Sequence, residues 1–203
     1  MKTRLLMLTA FVLFMSCKKE NAPTEIKVDN SKVMGTWTFV NMSMNFFQQQ
    51  YWSNGTDSNR QVLVYSVVSD NNKGEMVIND STMTLTDCSY DYKTINKAYY
   101  YRNGKLEASS EHPSEFTLTK RSYVNPYKMI NADSMYLGAG IKTYLDTFSS
   151  PTNAIGANII IIGDTLYVRT IEEINGSNMI PDGIPNILKT VNDKTMRYTK
   201  KKL

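Results

Sequence analysis

From about Val33 onward the chain repeats one pattern, in which short runs of β-branched, aromatic and methionine residues are cut by clusters of Asn, Asp, Gly and Ser. Such runs fit a pleated, half-buried surface, and the polar clusters supply turns. The pattern predicts strands over 35–47, 60–69, 74–79, 82–90, 93–102, 105–110, 115–123, 127–131, 134–138, 157–162, 165–174, 187–191 and 195–201, several of them expected to be halves of one bent strand.

An apolar strand end meets a tight polar turn and a fresh apolar start at four places: Val77 to Met83, Met129 to Met135, Ile161 to Leu166 and Val191 to Met196. Asn, Asp and Gly tolerate the positive φ that short hairpin turns demand. Hairpins in series give an antiparallel up-and-down meander, whose exposed edges are best removed by closure into a barrel. The expected fold class is therefore all-β. One segment departs from it. Ile141, Tyr144, Leu145 and Phe148 fall at i, i+3, i+4 and i+7, and Ser149-Ser150-Pro151 would stop the run, so the spacing predicts a short helix near 140–149.

The first residues read as an address. Lys2 and Arg4 precede an apolar run from Leu5 to Met15, which is about half of the ~20 residues a membrane-spanning helix needs. Phe14-Met15-Ser16-Cys17 resembles a bacterial lipobox, with Phe14 where Leu is usual. The resemblance implies a signal peptide over 1–16, lipidation of Cys17 as the mature N-terminus, and attachment to a membrane through that anchor. Residues 17–32 are polar and nearly free of aromatics, as a flexible tether would be, and the domain is expected over 33–203.

Composition narrows the chemistry. Of 203 residues, 41% are hydrophobic, enough for one sizeable core. The single histidine, His112, and two cysteines, Cys17 and Cys88, remove the residue types that zinc, haem attachment and a Ser/His/Asp triad require. No metal and no cofactor is expected. Loss of Lys2 and Arg4 lowers 23 basic residues to 21 against 19 acidic ones, so the net charge of +4 falls to +2 and nucleic-acid binding lacks its main electrostatic term. Lys200, Lys201 and Lys202 read as a solvated strand end. Cys88, in a strand-like stretch with no histidine near it, reads as a buried inert thiol.

Gly35-Thr36-Trp37 opens the first long strand and looks like the opening motif of lipocalin-like, calycin-type barrels. With the lipobox, the tether and the basic-aromatic final strand Met196 to Lys200, the chain resembles lipocalin-like lipoproteins of Bacteroidetes-type bacteria. The resemblance implies a closed barrel plugged by Trp37, with Arg197 as the counterpart of the cation that packs on the motif tryptophan. It also implies a mouth loop after the first strand, where Phe46, Phe47, Tyr51 and Trp52 would line a ligand site that Tyr144 and Phe148 could help close.

An eight-stranded barrel either holds one small apolar or amphipathic ligand or fills itself with side chains. The expected function is that of a non-enzymatic, lipid-anchored barrel of the outer membrane, periplasmic or surface-exposed, that binds such a ligand. The alternative is an envelope assembly lipoprotein with a filled barrel and a protein partner. A partner could use the tyrosines: Tyr99 and Tyr101 are expected on one strand face, Tyr92 and Tyr100 on the other. Carboxylates such as Glu172 and Glu173 form no recognisable acid/base couple. Ser81, Ser134 and Thr165 each follow an Asp and precede a residue that makes the triplet similar to Bacteroidetes O-glycosylation acceptors, and all three also serve as turn formers.

Overall fold

The computed structural model describes residues 29–138, 155–179 and 185–202. The signal and tether through residue 28, the expected helix near 140–149 with Tyr144 and Phe148, and Asp182-Gly183-Ile184 lie outside the described residues.

Nine strands follow in order: β1 (Gly35–Asn54), β2 (Asp57–Val68), β3 (Asp70–Ile78), β4 (Thr82–Arg102), β5 (Lys105–Asn131), β6 (Ser134–Leu137), β7 (Ile155–Ile162), β8 (Thr165–Met179) and β9 (Pro185–Lys200). Each pairing is antiparallel between neighbours, and β9 returns to pair with β1, so hydrogen bonds run round a closed ring. β2 and β3 lie end to end, both with β1 on one side and β4 on the other, so the nine strands make eight staves. Eight staves enclose an interior that side chains just fill.

Alternation decides what goes inside. Trp37, Phe39, Met42 and Met44 of β1, Met76 and Ile78 of β3, Met83 and Leu85 of β4, Met135 and Leu137 of β6, Leu166 and Val168 of β8, and Met196 and Tyr198 of β9 are all buried. Thr36, Thr38, Asn45, Arg169, Thr195 and Arg197, next to them in sequence, face outward. The inside of the base is apolar, whereas the outer wall mixes polar residues with exposed Val124, Ile130, Tyr136, Ile160 and Ile162.

The strands bend along one band. β1 bulges between Phe39 and Asn41, β2 gives way to β3 at Ser69, and the β3–β4 and β4–β5 registers shift around Lys73 and Cys88. At the break Ser69 keeps the ladder satisfied: its N–H donates to Met42 O at 2.8 Å and its hydroxyl oxygen accepts from Met42 N–H at 2.8 Å. Gly74 has φ +124°, and a Cβ there would sit 2.7 Å from Cys88 Cα. Gly35 also has positive φ, +127°, but its added Cβ would meet only Lys200 Cε at 3.7 Å.

Three sequence expectations need correction. The expected mouth loop does not exist, because β1 continues through Asn54, paired with β2 on one side and with β9 as far as Trp52 on the other. Val191 to Met196 is no turn. Those residues pair on both sides, with β1 and with β8; Arg169 donates to Asp193 at 2.9 and 2.7 Å while Lys194 turns inward and is only 4% exposed. Arg197 does not cover Trp37. It stands between inward Met196 and Tyr198 and so points out, whereas Lys200, the register partner of Trp37, places its Nζ 5.5 Å from the Trp37 ring centroid.

The glycines yield a test. Gly35→Ala is expected to cost about 1–3 kcal/mol for the backbone conformation alone. Gly74→Ala adds overpacking against the backbone of β4 and should cost about 2 kcal/mol more; urea denaturation of the two variants compares them, and equal costs would contradict the close approach.

Candidate functional site

The barrel divides into two halves along its axis. The lower half, where the chain enters at Gly35 and the β3–β4, β5–β6 and β7–β8 hairpins turn, is packed solid. A cavity there among the described residues, lined in part by Phe39, Met42, Cys88, Tyr90 and Met196, amounts to about 20 Å³, room for one water and far below the hundreds of cubic ångströms a small-molecule site occupies.

Above the core β1, β2, β4, β5, β8 and β9 continue as a curved sheet, and its inward positions change character. Directly paired residues share a face, so the register reads as successive rungs. Glu172, Asn192, Phe46 and Tyr65 form the first, Ile174, Thr190, Gln48, Leu63 and Ala98 the second, Leu188, Gln50, Gln61 and Tyr100 the third, and Trp52 with Asn59 the fourth. This upper cradle carries aromatic rings and carboxamides among the aliphatic side chains of Ile174, Leu63, Ala98 and Leu188.

Its rings are fixed. Phe46 and Tyr65 stack with centroids 4.6 Å apart and planes 14° from parallel. Trp52 and Tyr100 meet at 6.0 Å, and the Tyr100 hydroxyl donates to Asn59 Oδ1 at 2.6 Å, a bond that holds the ring beside buried Asn59. Gln48 Nε2 reaches Thr190 Oγ1 at 3.5 Å, and the side-chain amides of Gln50 and Gln61 bond to no other described residue. Asn192 Oδ1 is buried without a hydrogen-bond partner among the described residues, an acceptor that burial ordinarily does not leave unused.

Of the expected ligand residues, the structure brings Phe46 and Trp52 together on the cradle and puts Phe47 and Tyr51 on the outer wall, because a strand sends successive side chains to opposite faces. Tyr92 and Tyr100 do face in, with Tyr92 stacked on Phe116 at 5.2 Å, and Tyr101 lies outside under the Arg60 guanidinium, 3.9 Å from its ring centroid. Ser81, Ser134 and Thr165 sit at the three base hairpins, at the opposite end from the cradle; Ser81 is exposed, the other two half-buried. The amides of Gln48, Gln50, Gln61 and Asn59 were not singled out by sequence reasoning. Reading 46–52 at period two would have found the first two of them beside Phe46 and Trp52.

No family model matches the chain, and no curated protein matches it. A solved structure to which it is similar is that of Ail, the attachment invasion locus protein of Yersinia pestis, in complex with the heparin analogue sucrose octasulfate. The likeness is slight: 7% identity over 81% of this chain and 99% of that one, with a TM-score of 0.16, at which the two backbones do not superpose as wholes.

Cys88 lies in the wall of the packed half, and burial pushes its thiol up to about 11. A protonated, buried thiol is not a nucleophile at neutral pH. His112 is exposed and pairs with Asn96, well up the β4–β5 hairpin from Cys88. Cys88 is therefore expected to resist iodoacetamide at pH 8 in the folded protein and to react fully in 6 M guanidinium; mass spectrometry counts the adducts, and rapid native labelling would contradict the burial.

Proposed function

We propose that this protein is a non-enzymatic, lipid-anchored β-barrel of the cell envelope whose upper cradle binds an amphipathic ligand. One observation carries the reading: a filled base leaves no room for a ligand, while the continuation of the same strands presents rings and unpaired amides inward. A wholly apolar guest suits neither half, since the base is full and the cradle would lose hydrogen bonds to water.

The lipobox ending at Cys17 supports the anchor. So does the place where the described chain begins: Asn30 Nδ2 donates to Asp80 O at 3.3 Å and to the Tyr127 hydroxyl at 3.1 Å, so the preceding residues leave beside the base turns. The lipocalin-like resemblance agrees with a ligand-holding role for a barrel of this size.

A second reading, docking of an envelope protein partner, is favoured by one surface. Ile130, Tyr136, Ile160 and Ile162 are 45–65% exposed on the outer wall of β5, β6 and β7. Exposed apolar groups collected on neighbouring strands are a common mark of a protein contact.

Intact mass of the membrane-extracted protein tests the anchor. The expected product begins at Cys17 with acyl chains on it, and Cys17→Ala should leave the detergent phase. A mature form without acyl chains would sink the anchored reading. Native mass spectrometry of the same material tests the ligand: an adduct that Trp52→Ala removes is expected, and an adduct indifferent to Trp52 would place binding elsewhere.

A further inference from the structure

We infer that the cradle's ligand is a neutral carbohydrate, a short stretch of oligosaccharide lying along the inner face of β1; this rests on the cradle being the binding site. A pyranose ring has two kinds of surface, an apolar face of C–H groups and a rim of hydroxyls that each donate and accept. The cradle offers both complements on one inner face. Trp52 and Tyr100 provide ring surface at the rim, and Phe46 provides it at the floor, six residues along β1 and so about 20 Å away.

Between the two lie Gln48, Gln50 and Gln61. A carboxamide carries a carbonyl acceptor and an N–H₂ donor side by side, whereas a carboxylate only accepts and an ammonium only donates. The amides of Gln50 and Gln61, neighbours across the β1–β2 ladder and unbonded to other described residues, match a hydroxyl rim group for group.

Charge argues for a neutral sugar. The inward ionisable positions, Glu172 and Lys194 toward the floor, His112 on β5, and Arg102 and Lys105 at the rim with Arg102 paired to Glu107 at 3.4 Å, mix signs and build no strong field of one kind. An acidic polysaccharide would face Glu172, and a fatty acid would leave the carboxamides without partners, at a cost of about 1–3 kcal/mol for each one shut off from water.

The test uses the full mature chain in lipid nanodiscs. Calorimetric titration with maltohexaose, cellohexaose and mannohexaose is compared with polygalacturonate as the acidic probe and octanoate as the apolar one. Saturable binding of a neutral hexaose is expected, weakened about tenfold or more by Trp52→Ala and by Gln50→Ala/Gln61→Ala, with thermal unfolding midpoints confirming that the variants remain folded. Binding of octanoate, above that to empty nanodiscs, or of polygalacturonate alone would overturn the carbohydrate inference, and its loss in Trp52→Ala would leave the cradle as the site. Hexaose binding that both variants retain would overturn the location. No binding by any probe would overturn the inference and the ligand reading together.

Discussion

The closing of β9 on β1 is the constraint from which the other features follow. Their ladder runs from Trp37 opposite Lys200 to Trp52 opposite Asn186, so the first and last strands fix each other's register over almost their full lengths. Slipping either by one residue would turn Trp37, Met42 and Tyr198 out to solvent and bring Thr38, Ser43 and Arg197 in. The bulge between Phe39 and Asn41 is accommodated inside that ladder, and the inward parity resumes at Met42. Inside and outside are thereby decided for every rung above.

The same closure runs one set of strands through two different interiors. Near the base, rings and thioethers interdigitate, with Phe39 5.5 Å from Tyr198 and 6.0 Å from Tyr90, and this packing supplies the stabilisation. Higher up, the inward residues become polar and contribute little to folding, but they inherit positions from the packed part below. A site built on strand continuations is held more rigidly than one built on loops.

Much of the fold was legible in the sequence because its signals were local. The turns at Asn79-Asp80, Asn131-Ala132-Asp133 and Gly163-Asp164 lie where a polar cluster follows an apolar strand end, whereas the inward set Trp37, Phe39, Met42 and Met44 changes parity at the bulge between Phe39 and Asn41, which the sequence does not mark. Strand length was less legible. Asp91 and Tyr92 read as a break within β4, yet Asp91 pairs with Thr117, accepts from Asn71 at 2.8 Å, and is held below the usual carboxylate range chiefly by that bond. Asn192-Asp193-Lys194 imitated a turn for the same reason: polar residues mark a turn only when no neighbouring strand supplies partners, and partners are a tertiary fact. The cradle was half legible. Phe46 and Trp52 stood out as aromatics, but Gln48, Gln50 and Gln61 gain meaning only when β1 is known to extend to Asn54 and β2 to lie beside it.

The strap formed by Asn30, Asp80 and Tyr127 has a mechanical consequence. The Tyr127 hydroxyl donates to Asn79 O at 2.6 Å while accepting from Asn30, and the Trp37 indole donates to Val33 O at 2.8 Å, so the leading segment is knotted to the base before β1 begins. Tension applied ahead of residue 29 runs along the axis of β1 and loads its bonds to β3 and β9 in shear, many at once. A molecule hauled by that end should resist like a seam pulled lengthwise, with the upper opening the last part to feel the strain.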